Sequence, residues 1–323
     1  MGTATPPPAQ AQQTIEVAEP IESQKRPVKL TGKPELIREF LARFDVFLFD
    51  CDGVLWQGDK LLPKVVETLD VLRNRGKQIV FVTNNSTKSR EDYKKKLAKL
   101  GIQAEIDEIF GSAYSAAIYI SRVLCLPPTE RVYILGEAGI EAELRSENIT
   151  FLGGTDPADS GPMTPSDYET FGPDPTVTVV LCGLDRNICY KKLARAYQFL
   201  QNPNCRFLAT NIDSTFPTHG KLFPGAGSMS APLTYMLGGR QPVSLGKPSQ
   251  AMMAAIEGKF RFDKSRTCMV GDRLNTDITF GIEGGLGGTL AVLTGVNKED
   301  DFLKEGAEVV PDAYLEMLGD LAY

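Results

Sequence analysis

The 323-residue sequence is poor in histidine and tryptophan, with one of each. No apolar run approaches the roughly 20 residues that a membrane helix needs. A basic surface is also lacking, because 41 acidic residues outnumber 35 basic ones and the net charge is -6. That balance disfavours a nucleic-acid surface, which needs a basic patch or stripe. We therefore expect neither a membrane nor a nucleic acid as a partner.

Close cysteine pairs are absent as well. The six cysteines are spread along the chain, most of them within apolar runs such as VVLCGL and TCMVGD. This spacing disfavours a structural zinc site and is typical of small buried hydrophobic residues in a reducing compartment. Residues 1–27 have neither a long apolar core nor an arginine-rich amphipathic pattern, so we expect a disordered tail. A cytoplasmic location is the corresponding expectation.

Apolar strands alternate with helical patterns in the part that follows. The first elements are a helix over 33–44, a strand over 46–49, a helix over 63–75 and the apolar strand KQIVFVTNN. Near-continuous apolar runs of this kind suit a sheet that is covered on both faces. Helices over 91–100 and 114–124 continue the alternation. The pattern predicts an α/β core with a doubly wound parallel sheet.

A second set of elements starts near residue 131. It comprises the strand RVYILG, a helix over 140–146, a Pro/Gly-rich loop over 153–175, the strand TVTVVLCGL, a helix over 190–200 and the strand RFLATN. The first sheet is expected to resume afterwards with PVSLGKP, TCMVGD and GTLAVLTG. We therefore predict a core made of residues 28–129 and 239–323, with an α/β cap inserted at 130–238.

Polar residues follow several of the predicted core strands. The segment FLFDCDGVLWQGD ends a buried strand on Asp50 and Asp52, although burying an unpaired carboxylate is costly. Ligands of open parallel sheets bind beyond the carboxyl ends of the strands. Placing the strands side by side brings further candidate groups to this edge, namely Thr83, Asn84, Asn85, Lys247, Asp272 and Asp277.

This set of groups suits phosphoryl transfer. Clustered carboxylates repel unless a cation lies between them, and oxygen ligands without histidine or cysteine favour Mg²⁺. The lysine, the threonine and the amides could hold the oxygens of a phosphate. Asp50 could attack phosphorus and form an aspartyl-phosphate. Asp52 could protonate the leaving oxygen and later activate water.

Four segments, in this order, resemble the motifs of the haloacid dehalogenase superfamily: DCDGVLW, TNNS, GKPS and GDRLNTD. The resemblance is to phosphatases of that superfamily with a large C2-type α/β cap between the second and third motifs, and it runs over about residues 44–314. At finer grain, FVTNNSTKSR, TNIDSTFP and FPGAGSM resemble the branch that contains fungal para-nitrophenylphosphatases and phosphoglycolate phosphatases.

The resemblance implies a Rossmann-like core and Mg²⁺-dependent hydrolysis of small phosphomonoesters. The implied substrates are 2-phosphoglycolate first, then 4-nitrophenyl phosphate, 2-phospholactate and 4-phosphoerythronate. Phe216 occupies a position that can be histidine in pyridoxal-phosphate-specific relatives, so pyridoxal phosphate is disfavoured. By analogy, we expect a small phosphorylated metabolite as the partner and a homodimer formed through the cap.

Residue roles follow from the same resemblance. Mg²⁺ would be held by the Asp50 carboxylate, the Asp52 main-chain carbonyl and Asp272, with Asp277 in support. Phosphate would be bound by the neutral groups and the lysine, namely Thr83, Asn84, Asn85 and Lys247.

Other functions compete with this one. A phosphotransferase or mutase would use the same aspartate and pass the phosphoryl group to an organic acceptor. A cysteine phosphatase is disfavoured, because the Cys-to-Arg spacings in CLPPTER and CYKKLAR lie in a proline-containing and a helical segment. A binding module without catalysis is disfavoured by the presence of both Asp50 and Asp52. The lone His219 is expected to be a solvated residue of the cap loop rather than a metal ligand.

Overall fold

The fold contains two parallel sheets. A computed structural model describes residues 26–218 and 221–322. The larger sheet has seven strands in the order β1-β16-β15-β14-β2-β5-β6, and the smaller has five in the order β13-β10-β9-β7-β8. We call the larger sheet with its helices the core and the smaller sheet with its helices the cap. Two antiparallel hairpins, β3-β4 and β11-β12, complete the strand set of the described residues.

The strands are short, and their bounds in chain order are β1 Val28–Lys29, β2 Val46–Phe49, β3 Trp56–Gln57, β4 Lys60–Leu61, β5 Gln78–Thr83, β6 Ile109–Gly111, β7 Arg131–Leu135, β8 Phe151–Gly153, β9 Val177–Cys182, β10 Arg206–Ala209, β11 Thr215–Thr218, β12 Lys221–Pro224, β13 Val243–Ser244, β14 Thr267–Gly271, β15 Gly288–Val292 and β16 Ala313–Leu315.

The α-helices connect these strands, and their bounds are α1 Pro34–Ala42, α2 Val65–Asn74, α3 Arg90–Lys99, α4 Ser112–Ile118, α5 Ala138–Ser146, α6 Pro165–Thr170, α7 Tyr190–Leu200, α8 Gly227–Met236, α9 Gln250–Phe260, α10 Thr279–Glu283 and α11 Glu299–Leu303. Two π-helical segments, Tyr119–Val123 and Leu274–Ile278, extend α4 and precede α10.

Strand β2 shows why the core forms as a covered sheet. All four of its residues are buried, so both faces must pack against apolar side chains. Phe47 and Phe49 belong to the apolar cluster that contains residues of α1 and α2, whereas Leu48 belongs to the cluster on the opposite face, with residues of α9. Alternate side chains of a strand point to opposite faces, so the one run VFLF anchors both layers.

The cap repeats this arrangement on a smaller scale. In β7, Val132 and Ile134 pack into one apolar cluster with α5, while Tyr133 and Leu135 pack into the other with α7. Strands β7, β9 and β10 pair in parallel, as the apolar runs RVYIL, VTVVLC and RFLA predict. The doubly wound parallel core and the additional α/β unit predicted from the sequence are therefore both present.

Two predictions about the chain path were wrong. The segment PVSLGKP does not resume the core sheet, because Val243 and Ser244 pair with Leu208 and Ala209 at the edge of the cap sheet. A strand of two residues is too short for its sequence to reveal its partner. The expected loop over 153–175 also contains the helix α6, whose start is fixed by a capping box in which Thr164 and Asp167 bond to each other's main-chain N–H.

Several other expectations concern the chain as a whole. All six cysteines are unpaired, and Cys51, Cys182, Cys205 and Cys268 are buried, as the apolar runs predicted. Among the described residues, no helix is long and apolar enough to cross a membrane. The predictions for the tail up to residue 25 and for His219 fall outside the described residues.

Candidate active site

Three neighbouring strands place several of the predicted residues at one edge of the core sheet. Strand β2 lies between β14 and β5 and pairs in parallel with both. Asp50 follows the last residue of β2, Thr83 is the last residue of β5, and Asp272 follows the last residue of β14. Because parallel strands end at the same edge of a sheet, residues far apart in the chain become neighbours there.

Lys247 lies at the centre of this edge. Its ammonium Nζ is 2.6 Å from Asp50 Oδ1, 2.7 Å from Asp277 Oδ1 and 2.8 Å from the Val82 carbonyl. Only 1% of the residue is exposed. Burial alone would lower the pKa of Lys247, but the charges of Asp277 and Asp50 outweigh burial and raise it. The lysine therefore stays protonated and joins the carboxylate that follows β2 to one in the π-helical segment Leu274–Ile278.

Asp50, Asp272 and Asp277 form a compact acidic group. One carboxylate oxygen of each lies within 4.8 Å of the other two. Burial raises the pKa of Asp50 well above its usual range, and burial together with the charge of Asp277 raises the pKa of Asp272 to about 7. The three carboxyl groups share the ammonium of Lys247, so ionisation of all three requires a further positive charge. Their oxygen-only donor set fits a hard divalent cation.

The carboxylates differ in the oxygens they leave available. Asp277 Oδ2 accepts the main-chain N–H groups of Asp272 and Arg273 at 3.2 and 3.1 Å, and its Oδ1 is held by Lys247. Asp272 Oδ2 accepts the N–H of Val296 at 2.7 Å. Within residues 26–218 and 221–322, no hydrogen bond reaches Asp50 Oδ2 or Asp272 Oδ1. Asp277 is thus suited to orient the group, and the other two are suited to coordinate an ion.

Two glycines make room for Asp272. A Cβ atom on Gly295 would lie 1.7 Å from Asp272 Oδ2, and one on Gly53 would lie 2.6 Å from the same oxygen. Gly53 also has a φ of +91°, which an L side chain rarely adopts. Gly53 belongs to the DCDG motif, whereas Gly295 ends the segment GTLAVLTG, which was predicted only as a core strand.

Asn84 is engaged with the chain around Lys247. Its Oδ1 accepts the Lys247 N–H at 2.8 Å, and its Nδ2 donates to the Lys247 carbonyl at 3.0 Å and to Asp213 Oδ2 at 3.1 Å. No hydrogen bond among the described residues uses the main-chain N–H of Asn84. The side chain is therefore a brace for Lys247, and the main chain is the part of Asn84 that is open to a phosphate oxygen.

Thr83 and Asn85 stabilise the turn beside this site. Thr83 Oγ1 lies 3.3 Å from the hydroxyl of Tyr93 and accepts the N–H of Asn85 at 3.2 Å. Asn85 Oδ1 accepts both the N–H and the hydroxyl of Thr87, at 2.9 and 2.8 Å. Both residues lie at the predicted edge, and no hydrogen bond among the described residues uses the side-chain amide nitrogen of Asn85.

Asp52 differs from Asp50 in exposure and in partners. About half of its side chain, 49%, is exposed, against 12% for Asp50. Its Oδ1 accepts the indole N–H of Trp56 at 2.7 Å. No hydrogen bond among the described residues uses its main-chain carbonyl, the group predicted to bind Mg²⁺. The two aspartates of the motif therefore face different surroundings, one buried and charge-paired, the other open.

Sequence reasoning missed the contribution of the cap to this edge. Asp213, in the segment TNIDSTFP, reaches Asn84, and burial raises its pKa. Arg273, for which no role was predicted, donates to the main-chain carbonyl of Thr215 in the β11-β12 hairpin at 3.4 Å. A signal was present, since TNIDSTFP belongs to the resemblance. The contact itself depends on how the cap folds over the core.

Comparison with known proteins agrees with this arrangement. Residues 47–150 match the family described as haloacid dehalogenase-like hydrolase, and residues 244–321 match a HAD-hydrolase-like family. The chain is 53% identical to the 4-nitrophenylphosphatase of Schizosaccharomyces pombe, over 91% of this chain and 98% of that protein. It is 43% identical to phosphoglycolate phosphatase 2 of Arabidopsis thaliana, over 86% and 92%.

A solved structure gives the same result. The glycerol phosphate phosphatase from Mycobacterium tuberculosis in complex with magnesium is 29% identical and superposes with a TM-score of 0.72, covering 87% of this chain and 77% of that one. With the four motifs gathered at one sheet edge and the relatives matched over almost their whole length, the chain belongs to the haloacid dehalogenase-like hydrolases, in their phosphatase branch.

Proposed function

We propose that this protein hydrolyses small phosphomonoesters with Mg²⁺ and passes the phosphoryl group through Asp50. The observation that carries the proposal is the group of Asp50, Asp272 and Asp277 around the ammonium of Lys247 at the carboxyl edge of the core sheet. Buried carboxylates in excess over their counter-charge are costly unless a cation joins them. A site of this kind therefore fits both a metal ion and a phosphate.

The ion would be held by the Asp50 carboxylate, the Asp52 carbonyl and Asp272, while Asp277 orients its neighbours through main-chain bonds. Bound Mg²⁺ would neutralise phosphate charge and help to align the substrate. Lys247 supplies a fixed positive charge next to Asp50. Thr83, Asn85 and the N–H of Asn84 would bind the remaining phosphate oxygens.

The chain supplies the covalent and the acid–base chemistry. A carboxylate oxygen of Asp50 bonds to phosphorus as the bond to the leaving oxygen breaks, and Asp52 gives that oxygen a proton. Asp52 then takes a proton from water, which attacks phosphorus and returns Asp50 to a carboxylate. The greater exposure of Asp52 supports its role in moving protons, and the burial of Asp50 supports its role as the nucleophile.

We propose 2-phosphoglycolate as the first substrate, with 4-nitrophenyl phosphate, 2-phospholactate and 4-phosphoerythronate also accepted. The names of the yeast and plant relatives support a small phosphomonoester. Arg273 supports an anionic one, because its guanidinium lies at the junction of core and cap and makes only one hydrogen bond to the described residues, to Thr215. Asp213 and Arg273 also make hydrogen bonds across the junction, which supports a substrate small enough to fit beneath the cap.

Phosphate transfer to an organic acceptor is the second candidate. A phosphotransferase or mutase would form the same phospho-Asp50, and only the nature of the acceptor separates the two reactions. Product analysis distinguishes them, since hydrolysis releases one free phosphate per substrate consumed. Transfer to an acceptor with little free phosphate would contradict hydrolysis. Pyridoxal phosphate is disfavoured, because Phe216 occupies a position that can be histidine in pyridoxal-phosphate-specific relatives. Its ring packs against Phe223 in the β11-β12 hairpin, with 6.2 Å between ring centroids.

The test is kcat/KM with Mg²⁺ for 2-phosphoglycolate, 2-phospholactate, 4-phosphoerythronate, 4-nitrophenyl phosphate, pyridoxal phosphate and a phosphotyrosine peptide. We expect 2-phosphoglycolate to rank first and the peptide last. Asp50→Asn should abolish turnover while the circular dichroism spectrum stays unchanged, and the exposed Asp70→Asn serves as the matched control. Full Mg²⁺-dependent activity of the Asp50 variant would refute the nucleophile. A cytoplasmic location and a homodimer through the cap stay predictions from the sequence.

A further inference from the structure

The single tryptophan of the sequence lies against the exposed aspartate of the motif. Trp56 begins β3, is fully buried and donates its Nε1–H to Asp52 Oδ1 at 2.7 Å. The Trp56 carbonyl accepts the N–H of Gly53 at 2.7 Å, and its ring stacks on Tyr93 with centroids 6.4 Å apart. These contacts hold the indole ring in place, with its Nε1–H pointing at Asp52 Oδ1.

A lysine approaches the same oxygen. Lys96, on α3, places its Nζ 3.9 Å from Asp52 Oδ1 and 4.1 Å from the centroid of the Trp56 ring. Its side chain is 17% exposed. The indole N–H of Trp56 and the ammonium of Lys96 thus both lie near Oδ1 of Asp52. No hydrogen bond from residues 26–218 and 221–322 reaches Asp52 Oδ2.

We propose that Trp56 and Lys96 are positioning residues that fix the Asp52 carboxyl group and direct its transferable proton to Oδ2. A donor and a positive charge at Oδ1 stabilise negative charge on that oxygen and disfavour a proton there. The proton then resides on Oδ2, the oxygen left open for the substrate. The inference rests on the proposed function, because it assigns the geometry of the proton that Asp52 transfers.

The chemical step defines which substrates will reveal this role. As Asp50 bonds to phosphorus, the bond from phosphorus to the leaving oxygen breaks, its electron pair goes to that oxygen, and the proton of Asp52 Oδ2 joins it. The alkoxide of an alkyl phosphate is strongly basic and needs this proton. The 4-nitrophenolate ion is a weak base and leaves almost without it. Misplacing the proton therefore slows alkyl substrates selectively.

The first experiment compares kcat/KM for 2-phosphoglycolate and for 4-nitrophenyl phosphate in Trp56→Phe and Lys96→Gln. Phenylalanine keeps an aromatic ring and removes the N–H. We expect Trp56→Phe to lose about tenfold on the alkyl substrate and less than about twofold on the aryl one, with a smaller change of the same kind in Lys96→Gln. Equal losses on both substrates, or none, would overturn the proposal.

Matched controls are available in the same chain. Tyr314→Phe removes another aromatic donor from a carboxylate, the 2.6 Å bond to Glu299. Lys94→Gln removes a lysine of the same helix that pairs with Glu105 at 2.9 Å on the surface. Both controls should keep the wild-type ratio between the two substrates. If Trp56→Phe does not fold, the substrate ratio of Lys96→Gln decides the question by itself.

Coupling to Asp52 separates positioning from a merely structural role. In an Asp52→Asn background, Trp56→Phe should no longer change the ratio between the substrates, because the proton it directs is gone. A persisting effect would overturn the proposal. Fluorescence tests the contact without turnover: Asp52→Asn should shift the emission of the single tryptophan, whereas Asp70→Asn should not. If neither substrate is turned over by the wild-type protein, the proposed function fails, while an unshifted emission contradicts the contact itself.

Discussion

Lys247 and Asn84 hold each other through a reciprocal pair of hydrogen bonds. The Lys247 N–H donates to Asn84 Oδ1 at 2.8 Å, and Asn84 Nδ2 donates back to the Lys247 carbonyl at 3.0 Å. Asn84 follows strand β5, and Lys247 lies between the cap strand β13 and the core helix α9. The pair therefore fixes the one ammonium of the acidic group at the point where the chain returns from the cap to the core.

Asn84→Asp should weaken this pair of hydrogen bonds while the side chain at position 84 keeps its size. The new carboxylate oxygen would replace the Nδ2 donor and face two acceptors, the Lys247 carbonyl and Asp213 Oδ2. We expect a loss of about 1–3 kcal/mol in the free energy of unfolding. In the kinetics, we expect kcat to fall, with a smaller change in KM. Urea denaturation and steady-state kinetics measure both. The exposed Asn202→Asp is the control, and a variant as active and stable as wild type would contradict the bracing role.

The pH dependence of stability should reveal Asp272. Burial raises its pKa to about 7 in the folded chain, against about 3.9 in an unfolded one. Between these values the folded state binds more protons, so its contribution to stability is fully present below about pH 4 and is lost as pH rises towards 7. Asp272→Asn removes this titration. In EDTA, the Tm of the variant relative to wild type should therefore increase from pH 5 to pH 8.

Metal binding provides the complementary measurement. At pH 8, adding MgCl2 to the EDTA-free protein should raise the Tm of wild type, because an ion that binds only the folded state stabilises it. Asp272→Asn should respond much less. A Tm difference that stays constant with pH would show that Asp272 is not the titrating group, and an equal response of both proteins to Mg²⁺ would show that it is not an ion ligand.

Gly295→Ala should disturb the ion site from outside the four motifs. The added Cβ would lie 1.7 Å from Asp272 Oδ2, the oxygen that accepts the Val296 N–H. Displacing this carboxylate should weaken Mg²⁺ activation by about 10- to 100-fold. The midpoint of a Mg²⁺ titration of activity measures the change. Gly258→Ala is the control, since its Cβ would meet open space in helix α9. An unchanged midpoint in the Gly295 variant would contradict the crowding argument.

A buried ion pair joins the core to the cap. The N–H and Nε of Arg90, at the start of α3, donate to Glu143 of α5 at 2.6 and 2.9 Å, and the Arg90 guanidinium lies 3.4 Å from the centroid of the Tyr114 ring. The two side chains are 12% and 4% exposed. Glu143→Gln leaves Arg90 without its counter-charge.

We expect this change to cost about 3–5 kcal/mol in the free energy of unfolding. Denaturant unfolding of Glu143→Gln measures it. The matched control is Glu105→Gln, which breaks the exposed pair with Lys94 and should cost no more than about 1 kcal/mol. Equal effects of the two substitutions would show that burial adds nothing to the core-to-cap pair.

The parallel core could be read from the sequence because its strands carry their own signal. Residues 46–49 and 190–200 were predicted with the bounds that the structure has for β2 and α7. The site was predictable for a related reason: a parallel sheet gathers the residues at the carboxyl ends of its strands, so Asp50, Thr83 and Asp272 could be placed at one edge because each lies at the end of a predicted strand. The pairing of β2 with both β14 and β5, which makes them neighbours, is visible only in the structure.

Other contacts were beyond sequence reasoning. The two-residue strands β1, β3, β4 and β13 are too short to show a period, and β13 was assigned to the wrong sheet. Across the junction of core and cap, Asp213 accepts a hydrogen bond from Asn84, and Arg273 donates one to the Thr215 carbonyl. Such contacts depend on the relative placement of two sheets, which no local pattern encodes.

The sequence by itself determined the chemical groups and their approximate layer, because apolar runs and the turns after them obey local rules of burial and backbone conformation. Only the tertiary structure decided which oxygen of each carboxylate is engaged, that Lys247 joins Asp50 to Asp277, and that Trp56 faces Asp52. The first two choices result from packing side chains that lie far apart in the chain, and the third depends on how the loop after β2 packs, although Trp56 and Asp52 are only 4 residues apart. In each case, differences of a few tenths of an ångström in donor distance decide which bond forms.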